Sequence, residues 1–496
     1  MKIGGLDVGT TGCKLTVFDE KGGNLGKAYR SYPVKRNLSG HEIDAKVLLE
    51  CVFEVVSEAA KTHPDLSGIG VTSFGETFVL TDESGEPLFP AMLYSDPRGA
   101  EECNELTKKL GEEKIIKITG LRPHEMYSIS KLVWIKNNKP EIYSKAKHIF
   151  LMEDYVVWAL SGKAQIDYSL ASRTMAFDIS ALDWSGEILQ AAGIERAMFS
   201  RPVRTGSVAG TVTKEAAART GLSDKCRIVS ISHDQISAAV GAGVFDGKEA
   251  VDGAGTVECL TPIYDSLPDT EVMSNGYFSA VPYVEEGKYA AYAFSYTGGA
   301  LLQWCVEKFA GGEKEKADAA GLSINEYLER AYGRDEPSGL LVLPHFAGAA
   351  TPYMDNGSRG AIIGLDTETD LPTLYRACME GVVYEMRLNF DALNKTGAVI
   401  KKINATGGGA GSKVWMQMKA DVLGVPVTSL ETKDAGTVGS AMLTGCAIGL
   451  FKDLKEAARV MVREVKTYYP RPEMREKYEK IYSRYRKVYD AVRPLV

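Results

Sequence analysis

Apolar and polar positions along this chain switch between two periods, and the switches mark out its elements. Residues 3–8 and 15–18 are short apolar runs flanking a Gly/Thr-rich break, DVGTTG, which predicts two strands joined by a tight hairpin. A turn at residues 20–24 (EKGGN) leads into a further extended run. Residues 44–61 then place Val47, Leu48, Cys51, Val52, Val55 and Val56 at helical spacing on one side, with Asp44 set to cap the helix. The extended pattern returns at residues 69–73 and continues through FGETFVLTD to Asp82, before a turn at ESGEPL. This order of strands, turns and helix predicts an α/β domain with a mixed sheet.

Residues 101–178 read mostly as helix, with one helix around Leu132, Trp134 and Ile135 and another over 153–160. At 227–243 (RIVSISHDQISAAVGAG) an apolar strand over 228–231 runs straight into Ser232, His233 and Asp234, then into a small-residue helix beginning near Gln235. Residues 249–261 (EAVDGAGTVECLT) repeat the opening strand, Gly-Thr break and strand. Gly253, Gly255, Thr256 and Cys259 stand there in the order of Asp7, Gly9, Thr10 and Cys13. The repeat predicts an internal duplication: two α/β halves, residues 1–245 and 246–496, with a cleft between them. The second half reads as a helix after the glycine pair in YTGGALLQW, a charged and peripheral helical segment over 313–335, and a buried strand over 339–343. A long amphipathic helix follows over 371–393. A strand and three-glycine turn over 403–412 (INATGGGAGS) then open a helix over 413–423, DAGTVG opens another, and a charged outer helix closes the chain over 473–488. Helix packing accounts for the glycines of SAMLTGCAIG.

Composition narrows the class. A length of 496 residues implies two to four domains, and 45% hydrophobic with 25% charged residues is that of a soluble globular protein. The net charge of -7, without a Lys/Arg block, argues against a nucleic-acid partner. No run of about 18 apolar residues marks a membrane span and no signal-peptide pattern is present, so a cytoplasmic protein is expected. The eight cysteines are scattered, without CxxC or a zinc-like cluster, and are expected to be buried free thiols.

Three stretches carry candidate chemistry. In the first break, Gly9 and Gly12 can take positive φ and turn N–H groups inward, Thr10 and Thr11 add donors, Asp7 can hold a cation and Lys14 adds positive charge. The set suits a nucleotide's phosphates with their metal; a plain turn is the competing reading. In AMLYSDPR, alternation at a strand end would point Tyr94, Asp96 and Arg98 to one side, where they could hydrogen-bond a polyol; taken alone, the segment favours an Asp/Arg ion pair. Asp234, at the C-terminal edge of a strand, stands either where open α/β sheets place ligands or as an ordinary helix cap, while His233 reads as structural. A nicotinamide dehydrogenase is excluded because no GxGxxG follows the first strand.

These motifs together resemble the FGGY family of carbohydrate kinases, in order and over nearly the whole chain. DVGTTGCK is similar to the family's first phosphate loop, and MYSISKLVWIKNN (126–138) to a signature in which Lys131 and Trp134 are fixed points. SHDQISAAVGAG is similar to the segment with the catalytic aspartate, and the turn at 253–256, YTGGALLQW, GGGAGSKVWMQMKADVLGVPV and DAGTVGSAML to the ATP-binding pieces. The resemblance implies an α/β fold of two ribonuclease H-like domains, of the actin and hexokinase type, around a central cleft. It implies ATP with Mg²⁺ as cofactors: Gly9, Thr10, Thr11 and Lys14 at the phosphates, Asp7 at the metal, and Gly255, Thr256, Gly299, Gln303, Gly408 and Ser412 around the nucleotide. It makes Asp234 the base and assigns Gly75, Glu76, Tyr94, Asp96, Arg98 and Met126, with Asp234, to a small-molecule sugar. Gly75-Glu76 stands where glycerol kinases carry Arg-Glu and xylulose kinases Met-His, and Met126 replaces a tyrosine of glycerol kinases, while DYSLASRTMAFD looks more like pentulose and gluconate kinases. A ketopentose such as xylulose is therefore the first expectation, and gluconate or another ketose or polyol the second. A non-enzymatic sensor on the same scaffold competes with the kinase, but would have no need of the base. A homodimer stays open.

Overall fold

The structure, a computed structural model, describes residues 1–37 and 40–496. Strands β1 (Lys2–Val8) and β2 (Gly12–Asp19) form the opening hairpin, and β3 (Asn24–Ser31) continues it antiparallel. Helix α1 (Ala45–Thr62) begins where expected: Asp44 Oδ1 accepts from Lys46 N at 2.9 Å and Val47 N at 3.3 Å. Its buried stripe is Leu48, Val52, Val55, Val56 and Ala59, with Val47 turned outward.

Strand β4 (Leu66–Ser73) ends earlier than the apolar pattern suggests. The chain breaks at 74–77, where Glu76 takes φ of +64°, and Phe78–Thr81 pairs instead with His148–Leu151 in a separate ribbon. Apolar periodicity cannot register such a break, because Phe74 and Phe78 are both buried, on either side of it. Strands β5 (Ser207–Thr211) and β6 (Arg227–His233) complete the first sheet in the order β5-β6-β4-β1-β2-β3, with β1, β4 and β6 parallel. Helix α2 (Asp234–Gly241) leaves the end of β6.

The second sheet repeats this plan. Strands β7 (Glu249–Ala254) and β8 (Glu258–Tyr264) form its hairpin; helices α3 (Ile324–Tyr332) and α4 (Leu371–Lys395) follow, then β9 (Lys402–Thr406), α5 (Lys413–Leu423), β10 (Val427–Leu430), α6 (Ala435–Ala447) and β11 (Glu464–Tyr468). Its main strands run in the order β8-β7-β9-β10-β11, with β7, β9 and β10 parallel and short strands added outside β8. Each half thus has an antiparallel hairpin beside parallel strands, the duplicated ribonuclease H-like arrangement. The register corrects one correspondence: Asp7 pairs with Lys14 in the first hairpin, and Gly253 pairs with Cys259 in the second. The second turn is one residue shorter, so Cys259 takes the place of Lys14 rather than of Cys13, and the second hairpin lacks the charged pair.

The halves meet along α2 and α6, which cross between the sheets. An added Cβ on Gly241 would lie 1.9 Å from Ala435 O, and one on Gly439 1.8 Å from Ser237 O, so these helices touch backbone to backbone. Although α6 comes from the second half of the chain, it packs on the first sheet. A Cβ on Gly5 of β1 would lie 2.0 Å from Thr437 O, and Ser440 Oγ donates to Gly70 O at 2.8 Å. Gly445, read from the sequence as a helix contact, faces Phe451 and Ile3 of β1 instead. Among the described residues, no helix is long and apolar enough to cross a membrane.

Candidate active site

The turn between β1 and β2 is closed by Gly9 N donating to Gly12 O at 2.9 Å. Neither glycine takes positive φ, contrary to expectation. Space is the requirement at Gly12, where a Cβ would lie 2.6 Å from Tyr29 Oη and 2.7 Å from Arg30 O. Buried Tyr32 supports the turn from below, donating through its hydroxyl to Gly9 O. Thr10 is half-buried and Thr11 exposed. Lys14 Nζ stands 3.2 Å from Asp7 Oδ2 and 3.0 Å from Asp434 Oδ1, and Lys27 Nζ takes Asp434 Oδ2 at 2.6 Å. Burial pulls the Lys14 ammonium down, but Asp7 and then Asp434 outweigh it and hold the pKa above the ordinary lysine value. Sequence reasoning missed Asp434 and Lys27, because no local pattern ties residues 407 or more positions apart. Among the described residues no group of three or more His, Cys, Asp or Glu could hold a metal alone. A single partly exposed carboxylate, Asp7, beside a turn of small donors fits a hard cation whose other ligands are phosphate and water.

In the same sheet, with β4 between it and β1, β6 delivers His233 and, just past its end, Asp234. His233 N donates to Ser169 Oγ at 2.9 Å, and Ser169 Oγ donates in turn to Asp167 Oδ1 at 2.9 Å. Asp234 is the first residue of α2; His233 occupies the cap position without a side-chain cap bond, so the helix-cap reading of Asp234 falls. Its Oδ1 is sealed from solvent and has no hydrogen-bond partner, yet the side chain is 30% exposed, which leaves Oδ2 toward the cleft. Burial first, then the charges of Asp7 and Glu76, push its carboxyl up to about 7, against an opposing contribution from Gln235.

Glu76 is buried, and its Oε1 accepts from Arg173 Nε at 2.6 Å, with Arg173 Nη2 at 2.5 Å. Arg173 also donates to Ser279 Oγ at 3.1 Å and lies over the rings of Tyr127 and Tyr292. A Cβ on Gly75 would stand 3.1 Å from both Arg173 and His233, so glycine leaves room for the two to meet. No sequence pattern singles out Arg173: it lies 97 residues from Glu76, inside a segment legible only as a family resemblance. Substituting Arg173→Met should destabilise the protein by about 3–5 kcal/mol by leaving Glu76 buried and unpaired. Pairing it with Glu76→Gln should recover much of the loss, as read from denaturation midpoints.

Tyr94 is 37% exposed and faces this cleft, its hydroxyl raised first by burial and then by Glu76, with Asp234 contributing. Asp96 and Arg98 do not sit on a strand, which covers only Ala91–Met92, so alternation does not aim them. Asp96 is buried, and both its oxygens are occupied: Oδ1 by Arg98 N (3.0 Å) and Nε (2.8 Å), Oδ2 by Arg98 Nη2 (2.6 Å) and His41 N (2.7 Å). Arg98 continues to Glu42 at 2.8 Å and stacks on Trp134. The pair is an ion pair in this structure. Lys131, in the same signature as Trp134, is buried and donates to Glu125 O; burial pulls its ammonium down to about 8. Met126 lines a small cavity with Arg122, His124, Arg173, Tyr292 and Phe294.

The second half holds a cavity of about 1190 Å³. Gly255, Thr256, Gly299, Gln303, Gly408 and Ser412 all line it, with Trp415 and Tyr375. Nothing lies within 4 Å of where a Cβ would stand on Gly408, so backbone there is open to a ligand. Ser412 Oγ caps α5, accepting from Trp415 N at 3.0 Å, and donates to Glu329 Oε1 at 2.7 Å. Glu329 belongs to α3, which lies in the segment expected to be peripheral. Instead α3 walls the cavity with Ile324, Asn325 and Glu329, and burial raises the Glu329 carboxyl. Charge misled the reading, since the polar face of α3 borders a cavity rather than bulk solvent.

Comparison with known proteins agrees with this architecture. Residues 2–241 match the N-terminal domain, and residues 254–448 the C-terminal domain, of the FGGY family of carbohydrate kinases. The chain is 26% identical over 499 residues to the xylulose kinase of Bacillus subtilis (strain 168), covering 99% of this chain and 97% of that one. It is 29% identical over 463 residues to the gluconokinase of the same strain, covering 90% and 86%. The crystal structure of gluconate kinase from Lactobacillus acidophilus superposes with a TM-score of 0.89 over 99% of this chain and 98% of that one at 23% identity, a likeness of fold. With both halves matched in order, the sensor alternative gives way, and the chain belongs to the FGGY family of carbohydrate kinases.

Proposed function

We propose that the protein transfers the γ-phosphoryl group of ATP to a hydroxyl of a neutral ketose, a ketopentose such as xylulose being the first candidate, with Asp234 as general base. The observation that carries this reading is the Asp234 carboxylate, poised near neutrality at the cleft between the phosphate-type turn and the Glu76–Arg173 pair. A sugar hydroxyl is a weak nucleophile at neutral pH. Asp234 Oδ2 would accept its proton as the new O–P bond forms and the bond to ADP breaks. Residues 246–496 would hold the nucleotide in the large cavity, and residues 1–245 would hold the sugar beside Glu76, Tyr94 and Met126. Lys14 would exchange its present carboxylate partners for phosphoryl oxygens. Mg²⁺, held through Asp7, would offset phosphate charge when bound.

Preference for a neutral substrate follows from charge. Two carboxylates, Asp234 and Glu76, face the site, and the nearby buried guanidinium of Arg173 is already taken by Glu76. A sugar acid would bring a third negative charge there. Gluconate is the second reading, favoured by the gluconokinase relative. An ADP-release assay with xylulose, other ketoses, glycerol and gluconate tests the choice: faster turnover of gluconate than of every ketose overturns it. Because the base must be ionised and its carboxyl is raised to about 7, kcat/KM should climb about tenfold per pH unit below that value and level off above it. A pH–rate profile of the free enzyme checks this, and a flat profile from pH 5 to 8 would contradict it.

A further inference from the structure

We propose that Tyr292 and His233 form a positioning relay for Asp234 across the junction of the two halves, Tyr292 Oη–H donating to His233 Nδ1 and His233 Nε2–H turning onto Asp234 Oδ1. The inference rests on Asp234 being the base. His233 Nδ1 lies 3.0 Å from Tyr292 Oη, and Nε2 lies 3.3 Å from Asp234 Oδ1. Both rings are buried. Asp234 Oδ1 is sealed and otherwise without a partner, and a buried carboxylate oxygen in that state is costly unless a donor reaches it. At 3.3 Å the Nε2 contact is long and does not have the geometry of a formed hydrogen bond, as is common for active-site contacts before substrate closes the cleft.

The protons settle the direction. A neutral imidazole carries one N–H, so its two nitrogens cannot both donate. If Nδ1 held the proton, the Nε2 lone pair would face the lone pairs of an ionised Asp234 and repel them. The ionised base therefore selects Nε2–H, and the Tyr292 hydroxyl becomes the donor that satisfies Nδ1. Burial, with the neighbouring Arg173 guanidinium, keeps the ring neutral, and burial keeps the Tyr292 hydroxyl protonated. The ring is anchored by Ser169 through the His233 backbone and has room to reach because Gly75 carries no Cβ. Tyr292 stands between Tyr289–Ala290 and Ala293–Ser295, two short strands that pair with β8. That hairpin strand follows the turn at Gly255 and Thr256 in the wall of the large cavity, so a single strand pairing joins that wall to Tyr292, which also lies under the Arg173 guanidinium of the first half. Alignment of the base is thereby tied to the seating of the half that lines this cavity.

The test uses the full chain and the variants Tyr292→Phe, His233→Leu and His233→Gln, with Asp234→Asn as reference. Side-chain ¹⁵N NMR, tractable with six histidines, should show His233 as the Nε2–H tautomer and a shift toward Nδ1–H in Tyr292→Phe. Tyr292→Phe should lower kcat by about 3- to 10-fold, the worth of one hydrogen bond, with both KM values moving less than about twofold. His233→Gln, whose amide N–H can stand near the position of Nε2–H, should regain several-fold over His233→Leu. An Nδ1–H tautomer in the parent protein, an unchanged kcat in Tyr292→Phe, or a loss confined to KM would overturn the relay. An inactive Asp234→Asn beside a fully active Tyr292→Phe sinks the relay alone, whereas an active Asp234→Asn sinks the base assignment beneath it.

Discussion

Asp234→Asn should lower kcat by about 10²- to 10⁴-fold, the range that one positioned base contributes, while the protein remains folded and binds nucleotide. Asparagine keeps the shape of the side chain and cannot take the sugar's proton. Folding should not suffer: the native carboxylate is pushed up to about 7 by burial and by Asp7 and Glu76, so a neutral residue at that site removes repulsion. Stability at pH 8 should therefore equal or exceed that of the parent, because above its folded-state value the carboxylate is charged against those neighbours, whereas below about pH 4 it is neutral in both folded and unfolded chains. Phosphorylated sugar followed by single-turnover kinetics, beside a thermal melt, reads both halves of the prediction. Product formed at the parent rate would remove Asp234 from the mechanism.

Gly439→Ala should have the largest effect on stability of any single methyl added to the chain's interface. The new Cβ would fall 1.8 Å from Ser237 O and 2.8 Å from Gly241 N, both main-chain atoms of α2 that cannot rotate away. Relief requires α6 to move off α2, and with it the contacts of α6 with β1 and β4. A loss of about 1–3 kcal/mol or more is expected from overpacking of this kind, with activity falling because Asp234 stands at the start of α2, the helix that α6 would be forced away from. Gly312→Ala is the control: it lies in the helix Gly311–Ala319 with nothing within 4 Å of the added methyl, so the better helix propensity of alanine should leave the midpoint unchanged or raise it. Equal midpoints for the two variants would show that the helices are not in rigid contact.

Several features of the site are legible in the sequence alone. The strand-to-helix passage at Asp234, the Gly/Thr hairpin with Asp7 and Lys14, and the three-glycine turn before α5 lie in the structure where the pattern places them. Six residues chosen for the nucleotide line one cavity although they come from three separate segments. Their assembly followed from a family resemblance and could not have followed from spacing. What was misread has local causes too: positive φ was assigned to Gly9 and Gly12 from residue type, although the cramped neighbour of Gly12 is Tyr29, on the next strand.

By itself the sequence determined what depends on neighbours a few positions apart: where hairpins turn, where helices start and stop, which faces are apolar, and that the plan occurs twice. Turn chemistry, caps and periodicity act within a handful of residues, so they survive in one dimension. Only the tertiary structure decided which charges meet. Lys14 with Asp434, Glu76 with Arg173 and His233 with Tyr292 are joined across 420, 97 and 59 positions. It also decided that α6 packs on the first sheet and that α3 borders a cavity. Those outcomes depend on how two sheets and their crossing helices fill the same space, which no window along the chain contains.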